Sequence, residues 1–84
     1  MKDKVLVRIC VPMADFANDF FIPRDICCGV AAKILSDMIK KNYQQDIPIS
    51  DVPLLWYAKE NTLLDEAKSF REIGITDSDM LLLI

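Results

Sequence analysis

Eighty-four residues, 52% of them hydrophobic, define one small domain with enough apolar material for a core but little to spare. Charged residues are too evenly interspersed for a membrane-spanning helix, and a net charge of −3 argues against nucleic acid as the main partner. The chain has no histidine, the commonest general base and zinc ligand, and its odd count of three cysteines points to reduced thiols rather than a disulfide framework. Met1-Lys2-Asp3-Lys4 leads directly into a strand pattern with no apolar leader, so a cytoplasmic location is expected.

The first element is Lys4 to Val11, which alternates strictly. Val5, Val7, Ile9 and Val11 share one face, while Lys4, Leu6, Arg8 and Cys10 share the other, the pattern of a half-buried strand. Pro12 to Asp15 breaks the run, and Phe16 to Ile22 reads as its hairpin partner, with Phe20 and Ile22 inward and Phe21 outward.

The spacing then predicts an amphipathic helix over 25–41, and the rest of the chain is expected to fold around it. Cys27, Ala31, Ile34, Leu35 and Met38 set the apolar stripe, widened by Val30 and Ile39, with Lys33, Ser36, Asp37, Lys40 and Lys41 towards water. Asp25 is placed to cap the first turn, and Lys40 and Lys41 complement the dipole at the last. Gly29 is unfavourable in a helix interior by about 1 kcal/mol and is expected to mark a close approach by a neighbouring strand.

A polar loop follows from Asn42 to Pro53, pinned to the core by Ile47, Ile49 or Val52. Leu54 to Ala58 is the next strand, Lys59-Glu60-Asn61 a turn, Thr62 to Leu64 a short return, and Asp65 to Lys68 a charged excursion. Ser69 caps a single helical turn that Gly74 stops in the left-handed conformation. After a turn at 76–79, Met80 to Ile84 is apolar throughout, which suits a central strand lying parallel to the first. The expected fold is α+β, a mixed sheet of four or five strands carrying one helix. Its expected core is Val5, Val7, Ile9, Phe20, Ile22, Cys27, Ala31, Ile34, Leu35, Leu55, Phe70, Ile75, Leu81 and Leu83.

This order and these residues resemble the β-grasp of the ubiquitin superfamily. The resemblance is carried by Phe70-Arg71-Glu72-Ile73-Gly74-Ile75-Thr76-Asp77-Ser78-Asp79-Met80-Leu81-Leu82-Leu83 and by the pre-helix segment Phe20-Phe21-Ile22-Pro23. Within the superfamily, the chain is similar to the YukD-like bacterial proteins of type VII secretion. Asp19 to Pro23 resembles that family's lead-in to the helix, and Ile75 to Leu81 its Asp-Gly-Asp turn, with Ser78 where Gly is frequent. The resemblance implies a cytosolic, non-enzymatic accessory to the export of small helical WXG-type proteins. Conjugation is not expected, because the only glycines are Gly29 and Gly74 and no Gly-Gly tail follows Leu83-Ile84. The other readings are a ubiquitin-like docking domain of a larger membrane transporter and, less favoured, a redox or sulfur-carrier protein.

Strand parity places Trp56 outward, on the sheet face of Leu6, Arg8, Leu82 and Ile84. An aromatic, an arginine and three aliphatics have the composition of an interface, so this face is expected to bind a protein partner or a second copy. Covering of Trp56 by the 44–53 loop is the plainer alternative. Cys27 and Cys28 sit where a helix dipole favours thiolate, but no cation or histidine assists, and Cys27 reads as a small core residue. No cofactor or metal is expected: Cys10, Cys27 and Cys28 lack zinc spacing, and Asp65, Glu66, Asp77 and Asp79 lack the order of a calcium loop. Lys33, Lys40 and Lys41 read as a solvated helix edge.

Overall fold

The computed structural model describes residues 3–42 and 49–84. A five-stranded mixed sheet runs in the order β2-β1-β5-β3-β4. Its strands are β1 (Lys4–Val11), β2 (Phe16–Pro23), β3 (Leu55–Tyr57), β4 (Thr62–Leu63) and β5 (Met80–Leu83), with α1 (Cys28–Asn42) and the single turn α2 (Phe70–Ile73). This is the ubiquitin-like β-grasp fold. β5 lies between β1, to which it is parallel, and β3, to which it is antiparallel. The most apolar strand is thus central, as expected.

Alternation in β1 translates directly into burial, with Val5, Val7, Ile9 and Val11 all closed off from solvent. A 3-10 turn at Pro12–Ala14 ends at Asp15 in the left-handed region and returns the chain into β2. There Ile22 is buried, Phe20 packs against the core and Phe21 faces out. Leu55, Tyr57, Leu81 and Leu83 complete the inner face of the sheet, and Phe70 and Ile75 plug it from α2 and the segment beyond. α2 carries both bonds of a capping box, between Ser69 and Glu72, and stops at Gly74 with φ 89°.

The main correction concerns the rotation of α1. Its buried residues are Cys28, Ala31, Ala32, Leu35, Ser36 and Ile39. Cys27 and Ile34, expected in the core, are exposed, as are Val30 and Met38. Ser36, expected in water, is buried. The stripe that packs is displaced by about one position: Ala31 and Leu35 stay in it, Cys28, Ala32 and Ser36 join it, and Cys27, Ile34 and Met38 leave it.

Asp25 does not cap α1, because its carboxylate accepts from Arg71 Nε at 2.6 Å. The loop after β4 satisfies the first amides of α1 instead: Cys28 N donates to the Lys68 carbonyl at 2.8 Å and Gly29 N to the Glu66 carbonyl at 3.1 Å. Gly29 marks a close approach, as expected, but the neighbour is this loop and not a strand. A Cβ at position 29 would meet Glu66 Cβ at 3.3 Å. In the described part of the loop after α1, Ile49 and Pro53 are buried and Val52 is exposed, while Ile47 lies outside the described residues.

Candidate interaction face

The outer face of the sheet takes its shape from register. Trp56 lies opposite Leu82 on β5 and opposite Leu63 on β4. Leu82 in turn lies opposite Cys10 on β1, and Cys10 opposite Ala17 on β2. One uninterrupted apolar row, Leu63-Trp56-Leu82-Cys10-Ala17, therefore crosses all five strands. Strands stand about 4.8 Å apart, so the row is roughly 19 Å long.

Parallel rows flank it. Met80 is on the row that contains Arg8 and Asp19. On the other side, Leu54 and Ile84 exchange two backbone hydrogen bonds of 2.9 Å. Leu6 faces Phe21 at the far end of β1. Phe21, Leu63, Met80 and Ile84 are exposed, while Leu6, Trp56 and Leu82 are half-buried. The ion pair on this face joins Arg8 Nη1 to Asp19 Oδ1 at 3.3 Å with both side chains about half exposed, a geometry that holds Arg8 only weakly.

Of the five residues singled out in the sequence, the structure brings Trp56, Leu82 and Ile84 together, sets Arg8 between Met80 and Asp19, and leaves Leu6 at the far end of β1 opposite Phe21. Sequence reasoning passed over Phe21, Leu63, Met80, Cys10 and Leu54. Parity within each strand carries the signal for them, but register across strands is needed to gather them.

Asp65 and Asp79 serve local turns, and Asp77 ties its turn to β1. Asp77 Oδ1 accepts from Leu6 N at 2.9 Å, and Asp65 Oδ1 from Ala67 N at 2.9 Å. Asp79 Oδ2 accepts from the Tyr57 hydroxyl and the Thr76 amide, each at 2.9 Å. Burial raises the Tyr57 hydroxyl pKa to about 12, helped by the carboxylate it donates to. Burial also works to raise the Asp79 carboxyl, but the Thr76 amide and the Tyr57 hydroxyl outweigh it and hold it below the usual aspartate value. Burial, then the nearby Cys27, Asp65 and Glu72, push the Cys28 thiol up to about 11, so it is protonated at neutral pH.

On the opposite side of the molecule, a cavity of about 450 Å³ lies against the N-terminal half of α1. Cys27, Val30, Lys33, Val52, Pro53 and Ala67 are among its lining residues. No helix among the described residues is long and apolar enough to cross a membrane.

No family model and no curated protein matches the sequence. Solved structures do match the fold. The ubiquitin-like domain of the type VII secretion protein EccD1 from Mycobacterium tuberculosis is similar, at 16% identity and a TM-score of 0.66, over 96% of this chain and 97% of that one. The ubiquitin of Caldiarchaeum subterraneum is similar at 16% identity and a TM-score of 0.73, over 96% and 91%. A chain in an inhibitor complex of toluene 4-monooxygenase is similar at 9% identity and a TM-score of 0.77, over 95% of each. At these identities the likeness is one of fold, and fold does not fix function.

Proposed function

We propose that this chain is a non-enzymatic, ubiquitin-like interaction module of a type VII secretion system, a cytoplasmic accessory of the YukD-like kind. In this reading its partner is held non-covalently on the outer face of the sheet, and is a component of the secretion machinery or a WXG-type substrate. The observation that carries the reading is the apolar row across five strands, with Trp56 and Leu82 as its centre. An aromatic anchor inside a partly exposed apolar patch is where binding energy concentrates. The likeness to the EccD1 domain supports the secretion context. Gly29 and Gly74 both serve the backbone of the fold, one at the close approach of Glu66 and the other at the stop of α2.

The test is recovery from native lysate with wild-type, Trp56→Ala and Leu82→Ser baits, read by mass spectrometry. Secretion components or WXG-type proteins are expected with wild type and are lost with either variant. Equal recovery by all three baits, with folding unchanged, overturns the sheet-face reading. Sedimentation of the wild type tells partner binding from self-association through the same face. The second reading, a docking domain within a longer secretion protein, is favoured by the EccD1 likeness and is decided by the mass of the native polypeptide.

A further inference from the structure

β2 forms one edge of the sheet and is eight residues long, whereas the other edge, β4, has two. A long edge strand offers its unpaired backbone groups to any other strand, including that of a second copy. Phe16, Phe20, Phe21 and Ile22 give β2 the composition that favours such pairing.

The direction of the ladder bonds shows which backbone groups are on offer. The Arg24 amide donates to the Asp3 carbonyl at 2.9 Å, continuing the register that pairs Lys4 with Pro23. Bonded pairs alternate along an antiparallel ladder. Phe16, Asn18, Phe20 and Ile22 therefore bond to β1, while Ala17, Asp19, Phe21 and Pro23 turn their backbone groups away from it. The other side of β1 agrees: the Arg8 amide donates to the Asp79 carbonyl, and the Leu6 carbonyl accepts from Ser78 N, so these even-numbered residues serve β5.

Two of the four outward positions on β2 give an incoming strand no donor. Pro23 has no N–H. The Asp19 N–H, in the middle of the strand, is taken by Oδ1 of the preceding Asn18 at 2.9 Å. Any register that pairs the middle of β2 calls on that amide. A two-fold pairing centred there also sets two Asp19 carboxylates side by side, which is unfavourable in itself.

We propose that Asn18 is an edge guard: by occupying the Asp19 amide it stops a second copy from adding its own β2 to this one and extending the sheet. The outer face is then left as the route to a partner, and the edge is closed to strand addition.

The test is amide hydrogen exchange by NMR on the whole chain, followed by sedimentation. In the wild type, the Asp19 amide is expected to exchange roughly two- to tenfold more slowly than those of Ala17 and Phe21, once intrinsic rates are divided out. Asn18→Val should remove that protection, and Asn18→Asp, which keeps an acceptor, should retain it. In a Trp56→Ala background, which removes association through the outer face, Asn18→Val with Asp19→Thr is expected to form dimers that the parent does not. Those dimers should protect the amides of Ala17, position 19 and Phe21. Asn18 and Asp19 are exposed, so the variants should fold, and the wild-type exchange rates need no variant at all. An Asp19 amide as fast as its outward neighbours overturns the proposal, as does a variant that stays monomeric like its parent, or dimers protected elsewhere. So does a wild type already protected at Ala17 and Phe21. The guard acts at the edge and not on the outer face, so its failure leaves the sheet-face reading untouched.

Discussion

The hydroxyl of Tyr57 on β3 donates to Oδ2 of Asp79, just before β5, at 2.9 Å. The same oxygen accepts from the Thr76 amide at 2.9 Å and the Thr76 hydroxyl at 3.3 Å. The Asp79 carbonyl accepts from Arg8 N of β1 at 2.9 Å. Asp79 therefore ties the start of the central strand to both of its neighbours. Tyr57→Phe should cost about 1 kcal/mol, and Asp79→Ala about 1–3 kcal/mol because it leaves a buried hydroxyl without an acceptor. In a urea-unfolding double-mutant cycle the two losses should not add. Additive losses would mean that the contact contributes little.

The same pair shapes the dependence of stability on pH. Asp79 has a lowered pKa in the fold, so its contribution is complete above the ordinary aspartate range and is lost as pH falls through the folded value. Tyr57 has a pKa raised from 10.0 to about 12, so its contribution is complete below pH 10 and is lost as pH rises towards 12. Unfolding free energies measured from pH 3 to 12 should show a plateau with both limbs. Tyr57→Phe should flatten the alkaline limb, and its persistence in that variant would assign the limb to other groups.

Adjacent residues on α1 should respond very differently to truncation. Leu35 is fully buried and Ile34 is 44% exposed. Leu35→Ala is expected to cost about 2–5 kcal/mol. Ile34→Ala should stay below roughly 1 kcal/mol. Chemical denaturation decides it, and similar losses would contradict the rotation of the helix.

Ser78 adopts φ 74°, a left-handed conformation costly for a residue with a Cβ. Its amide donates to the Leu6 carbonyl at 2.8 Å, a bond that glycine preserves. Ser78→Gly should therefore leave stability unchanged or raise it by up to about 1 kcal/mol, read as a shift in thermal midpoint. A clear loss would show that the serine side chain does work at this turn.

Much of this protein was legible in its sequence because local rules and global fold agree there. Strict alternation from Val5 to Val11 admits one buried face, Ser69 and Glu72 have the spacing of a capping box, and Gly74 and the uniformly apolar Met80–Leu83 announce a helix stop and a central strand. The candidate outer face was half legible. Parity turned Trp56 and Leu82 outward, but only the pairing register set Leu63, Trp56, Leu82, Cys10 and Ala17 in one row, since sequence does not say which residues of separate strands lie opposite.

The facing of α1 belongs to the tertiary structure. Its apolar residues fill so wide an arc that Cys27, Val30, Ile34 and Met38 satisfy helical spacing as well as Cys28, Ala31, Leu35 and Ile39 do. Periodicity cannot break that tie. Contacts distant in sequence break it: the Cys28 and Gly29 amides are held by the Lys68 and Glu66 carbonyls, and Ala31, Ala32, Leu35 and Ile39 are buried in the core. The sequence determines that there is one amphipathic helix across a mixed sheet. Packing decides which of its two apolar sides becomes core and which stays exposed.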